Sequence, residues 1–140
     1  MPDKRIEDAI DKALTMIGGI IESAAKEILT QNKSVDTGLL RNSITYALGG
    51  ERTAIQQYTS NAGSKGKDGK LIEEKGGTYA ETAPRDESGT RTLYVGTNVE
   101  YAPWVELGTS KSKAKPYLRP AVETSMDKIK RAFEVAFKGL

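Results

Sequence analysis

The stretch Arg91-Thr92-Leu93-Tyr94-Val95-Gly96-Thr97 gathers β-branched and aromatic residues up to a glycine, the composition of a strand. After Asn98-Val99-Glu100-Tyr101-Ala102 the chain continues Pro103-Trp104-Val105-Glu106-Leu107-Gly108-Thr109. Pro103 suits the first turn of a short helix, where its missing N–H costs little. Gly108 can stop that turn in a left-handed conformation. Trp104, Val105 and Leu107 supply its apolar area, and Trp104 and Leu107 are expected to anchor it against the body. Tyr101 and Trp104 can also be read as an exposed binding patch. Glu106 can accept backbone hydrogen bonds or join an ion pair, and either would constrain the turn.

Working outward, Ile44, Tyr46 and Leu48 alternate with Thr45 and Ala47, which predicts a strand ending at Gly49-Gly50. A second strand is expected through Thr53, Ile55, Gln57 and Tyr58. Residues 3–30 read as an amphipathic helix whose face is Ile6, Ile10, Leu14, Ile17, Ile21, Ala24 and Ile28. Gly18-Gly19 weaken its middle and mark a kink, a close approach of chain, or plain irregularity. A final helix is expected from Pro120, packing through Val122, Met126, Ile129, Phe133, Ala136 and Phe137. Helices near both ends thus bracket a central, mainly antiparallel sheet. That order predicts an α+β fold, because a doubly wound parallel sheet requires repeated strand–helix crossovers. Residues 59–75 are expected to be an exposed loop or arm, and 109–116 a flexible connection.

Of 140 residues, 37% are apolar and 29% charged, enough for one modest core, so 1–140 is expected to be a single domain. No apolar run is long enough for a membrane-spanning helix, and the N-terminal residues lack a secretory apolar segment, so a cytoplasmic origin is expected. Cysteine and histidine are both absent. That removes a thiol nucleophile, the usual neutral-pH base and every zinc site built on imidazole or thiolate. No calcium-loop pattern occurs, and no metal or other cofactor is expected. The net charge is +2, but residues 110–140 hold eight Lys or Arg against three acids while the preceding residues are net acidic. The basic segment can face DNA or an acidic neighbouring subunit, or form the solvated side of a helix.

Two motifs suggest chemistry and do not sustain it. Asp36-Thr37-Gly38 matches the short aspartic-protease signature, whose reaction needs two carboxylates sharing one site. Polar Asn32-Lys33-Ser34 precedes it where an apolar strand belongs. Leu39-Leu40-Arg41-Asn42-Ser43 follows as the start of a helix that Asp36 or Thr37 can cap. Gly63 to Gly69-Lys70 suggests a phosphate loop, but the spacing is one residue too long and Leu71 stands where Ser or Thr should bind magnesium. Neither Glu100 with Glu106 nor Ser43 with Asp36 assembles a catalytic set from sequence.

Taken in order, Val35-Asp36-Thr37-Gly38-Leu39-Leu40-Arg41-Asn42-Ser43-Ile44 and the block from Val95 to Thr109, followed by Lys115-Pro116-Tyr117-Leu118-Arg119-Pro120-Ala121, resemble the HK97-type family of minor tail, or head–tail joining, components of tailed phages. The carried-over motif comprises Asp36, Thr37, Gly38, Leu40, Ser43, Tyr101, Pro103, Trp104, Glu106, Gly108 and Thr109. The resemblance implies an α+β protein with a long N-terminal helix, a curved sheet and a C-terminal helix, acting in virion assembly rather than catalysis. It also implies a homo-oligomeric ring, often hexameric, around the channel used by DNA, with other connector or tail proteins as partners and no membrane. Such a protein would be made in the host cytoplasm and reside in the virion. Lys65, Lys67, Lys70, Lys111, Lys113, Lys115 and Arg119 are the candidate assembly or DNA-channel surface, with any contact to double-stranded DNA being nonspecific. The competing reading is a nonviral adaptor or protein-interaction module.

Overall fold

The computed structural model describes residues 4–32, 37–50, 56–59, 76–80, 82–86, 91–111 and 113–140. In chain order the elements are α1 (Lys4–Asn32), α2 (Thr37–Ser43), β1 (Thr45–Leu48), β2 (Gln56–Thr59), β3 (Gly76–Tyr79), β4 (Leu93–Gly96), α3 (Ala102–Leu107), α4 (Leu118–Thr124) and α5 (Met126–Phe137). The fold is α+β, with small antiparallel sheets beside a long N-terminal helix and helices at the C-terminal end. β1 pairs with β4 in the register Thr45↔Gly96 to Leu48↔Leu93. β2 pairs with β3 from Gln56↔Tyr79 to Thr59↔Gly76, so the described strands form two ribbons rather than one central sheet.

α1 is the spine. Its buried stripe is Ala9, Ala13, Ile17, Ile21, Ala25 and Leu29, a four-residue step that keeps one line of side chains against the core. Ile17 and Ile21 are on the expected face. Ile6 is not, being 46% exposed, and alanines replace the bulky residues that periodicity favours. The expected C-terminal helix differs in the same way. It begins at Leu118, breaks at Ser125, and buries Ala121, Ser125 and Ala132, with Ile129 beside them. Val122, Met126 and Phe133 stay exposed, a correction to the expected packing face. Small side chains on facing helices let the backbones approach closely, and this seam displaces the larger residues to its margin.

Gly18 has a specific cause. A Cβ there would lie 2.6 Å from Cγ of Tyr46, whose ring from β1 rests on the helix backbone. Gly19 meets nothing within 4 Å. β3, whose first two residues are Gly76 and Gly77, is a strand the sequence did not suggest. Gly77 is accommodated because the ring of Tyr58, across the ribbon, occupies the space a side chain would take.

Candidate functional site

The two motif stretches, far apart in sequence, are brought together at one end of the β1–β4 ribbon. α2 ends in Leu40 and Ser43, both fully buried. The Ser43 hydroxyl donates to the Leu40 carbonyl at 2.7 Å and shares a short hydrogen bond with Thr97 Oγ1. Thr97 Oγ1 also accepts Val99 N at 3.1 Å, and Ala102 N then bonds Val99 O, so the chain turns at once from β4 into α3. Asn98 ties in the second ribbon. Its Oδ1 accepts the Tyr58 hydroxyl at 2.6 Å and its Nδ2 donates to Thr78 O at 2.9 Å. Asn42 Nδ2 donates to Thr59 O at 2.6 Å.

α3 is fixed from its far side. Pro103 lies in its first turn, as expected. Gly108 follows its end with φ 77° and ψ 174°, a conformation essentially confined to glycine, and its N–H bonds Trp104 O at 2.8 Å. Oε1 of Glu106 accepts Tyr117 N at 3.0 Å and Leu118 N at 2.8 Å, and Oε2 accepts Arg119 N at 3.4 Å. Of the two roles open to Glu106, backbone acceptance is thus the one realised. It satisfies the first amides of α4, which otherwise have no intrahelical partner. Lys115 N adds a bond to Val105 O at 2.8 Å. Tyr117 is 1% exposed beneath α3 and donates its hydroxyl to Ala102 O at 3.2 Å. Burial, then the charge of Glu106 and the neighbouring Tyr101, push its phenol up to about 12.

Trp104 and Leu107 do not anchor this unit. They are 57% and 77% exposed, because Ala102 and Val105 take the inward face and Tyr117 fills the space below. Trp104 and Leu107, three residues apart, share the outer side of the turn. Tyr101 is half-buried, and its carbonyl accepts Trp104 N and Val105 N. Thr109 Oγ1 accepts Lys111 N at 3.2 Å. Lys111, Lys113, Lys115 and Arg119 are exposed beside the patch, with Arg119 paired to Glu123 at 3.2 Å. Asp36, Lys65, Lys67 and Lys70 lie outside the described residues, as does most of the 59–75 segment, and the side chain of Thr37 is not described.

A cleft of ≈ 430 Å³ opens between residues 96–100 and α3, but Thr97, Asn98 and Glu106 in its walls are engaged in the bonds above. No group of three or more carboxylates that could hold a metal occurs among the described residues. No described helix is long and apolar enough to cross a membrane. Sequence reasoning passed over Thr97, Asn98 and Tyr117 as individual residues. Their signals were a polar pair directly after a strand glycine, and an aromatic isolated in a proline-bounded arm.

A family model described as "Bacteriophage HK97-gp10, putative tail-component" matches residues 1–108, from the start of the chain through α3 and its closing glycine. No curated protein and no solved structure matches the chain.

Proposed function

We propose that this chain, which belongs to the HK97-gp10-like family of bacteriophage tail components, is a non-enzymatic structural subunit that completes the tail or joins it to the head. It works as a closed homo-oligomeric ring, sixfold in the form the resemblance implies, in contact with other connector or tail proteins. It is made in the host cytoplasm and resides in the virion. The observation that carries this reading is the outer face of α3, where Trp104 and Leu107 are held in water on a helix fixed by Glu106 and Tyr117. An apolar surface presented on a rigid support loses little entropy when a partner covers it, which is how interface anchors work.

Lys111, Lys113, Lys115 and Arg119, together with Lys65, Lys67 and Lys70, line the channel and meet the phosphates of passing double-stranded DNA without reading bases. The test is deletion of this gene from its phage, with complementation from a plasmid and electron microscopy of the particles. Filled heads separated from tails are expected without the gene, and joined particles with it. Infectious, joined particles from the deletion would overturn the reading.

A further inference from the structure

Helices α4 and α5 run on as one rod. The break at Ser125 is bridged by Ser125 N to Val122 O at 3.1 Å and by Ile129 N to Ser125 O at 2.9 Å. The buried line Ala121, Ser125 and Ala132 crosses the break in step, so the turns of α5 stay in register with those of α4. α5 packs on α1, and that side of the rod is taken.

Beside the buried line runs a second apolar line, Val122, Met126, Ile129, Phe133 and Ala136, spaced by four, three, four and three residues. Apolar residues repeating every 3.5 positions face a single partner helix along their whole length. Val122 is 39%, Met126 52% and Phe133 40% exposed, while Ile129 and Ala136 are half-buried where the line meets the core. The flank of this line away from the core carries Arg119, Glu123, Lys130 and Glu134, all exposed. Arg119 pairs with Glu123 at 3.2 Å, both in water, and Lys130 and Glu134 have no ion pair among the described residues. Asp127, Arg131 and Lys138 lie farther round the rod, and Lys128 on its opposite side.

The signs along the flank alternate from Arg119 to Glu134, and their spacing of four, seven and four residues is the same read in either direction. A second rod turned end for end therefore meets every one of these charges with its opposite. Arg119 faces Glu134 and Glu123 faces Lys130, each twice by symmetry. The same alignment packs Met126 on Ile129 and Phe133 on Val122 of the second copy, as the layers of an antiparallel helix pair. Sliding the rods by one heptad sets Lys130 against Lys130 in one direction and Glu123 against Glu123 in the other. Charge thus selects both the occupant and its register.

We infer that α4 and α5 form a self-association surface, on which a second copy lays its own α4 and α5 antiparallel along Val122, Met126, Ile129 and Phe133. The contact is isologous and closes at two copies, so it pairs subunits without building a ring. It goes beyond the tail role proposed above and does not depend on it.

Sedimentation of the full chain over a range of concentrations tests the pairing. The parent should form dimers, or pairs of any larger ring. Met126→Ser/Phe133→Ser should halve that mass while melting within a few degrees of the parent. Glu123→Lys and Lys130→Glu should each halve it too, since like charges then meet at both symmetric contacts. Mixed one to one, these two variants should regain the parent mass, because a cross pair restores opposite signs at both contacts. A parent mass unchanged by Met126→Ser/Phe133→Ser would overturn the inference, as would single reversals that pair like the parent or a mixture that does not recover. So would a parent that stays monomeric at every concentration, even where its phage requires Phe133, since the face would then serve a different protein. None of these outcomes touches the tail role, which stands or falls with the deletion phage.

Discussion

Oε1 of Glu106 lies 2.8 Å from the backbone nitrogen of Leu118, so a carboxylate on one short helix supplies the missing acceptor at the start of another. Neither α3, with six residues, nor α4, with seven, is long enough to persist alone. Their stability is therefore shared through this contact. Glu106→Gln keeps one acceptor oxygen and should retain most of it. Glu106→Ala leaves the amides of Tyr117 and Leu118 without that acceptor and should cost about 1–3 kcal/mol. Urea denaturation of the two variants measures the difference, and equal losses would show that only the charge mattered.

Tyr117 makes stability depend on pH at the alkaline end. Its phenol is pushed up to about 12 in the folded chain, above the ordinary value of 10.0. The contribution is full below pH 10, where the residue is protonated in both states, and is lost as pH rises toward 12 because the unfolded chain ionises first. Denaturation midpoints should fall between pH 10 and 12, by at most about 1.4 kcal/mol per pH unit from this group. Tyr117→Phe should be less stable at neutral pH, through loss of the bond to Ala102, yet fall less steeply over that interval. A slope unchanged by the substitution would assign the effect to other groups.

Gly18 and Gly19 are adjacent in sequence and opposite in consequence. Gly19→Ala adds a methyl group to open space in the interior of a helix and should stabilise the chain by up to about 1 kcal/mol. Gly18→Ala drives a methyl group into the Tyr46 ring and should cost about 1–3 kcal/mol as overpacking. Thermal melting of both separates these effects, and a gain at both positions would mean that the ring moves aside freely.

The Ser43–Thr97 bond should behave as a coupled unit. Ser43→Ala and Thr97→Val should each cost about 1–2 kcal/mol, and the double variant less than their sum by at least about 0.5 kcal/mol. Guanidinium denaturation of the full cycle checks this. Strict additivity would mean that the two hydroxyls act separately.

The α+β class, the start and approximate length of α1, β1 and β4 followed from periodicity and from glycine and proline placement, because those signals are local. Faces followed less well. A hydrophobic scale weights isoleucine and phenylalanine above alanine, whereas a buried helix face is chosen by how closely backbones approach, which favours Ala13 over Ile6 on α1 and Ala132 over Phe133 on α5. The strand at Gly76–Tyr79 was hidden because its reason is Tyr58, on another strand. At the motif, Glu106 was legible as a backbone acceptor, but not which amides it would meet. Trp104 was expected to anchor the turn against the body and is exposed instead, for a related reason. In so short a turn Trp104 with Leu107 and Tyr101 with Val105 are equally good apolar pairs, and Tyr117, arriving from outside the turn, selects between them.

The register of the β2–β3 ribbon also bears on how the protein can be handled. Thr59 and Gly76 are paired, so whatever connects them leaves and re-enters the body at neighbouring points. Lengthening a connection whose ends are already together costs only about 0.6 kcal/mol per doubling. An epitope tag or a small fluorescent domain spliced between these residues should therefore leave the ribbon and its Tyr58–Asn98 tether intact. Particles carrying such a label could then be followed in the cell.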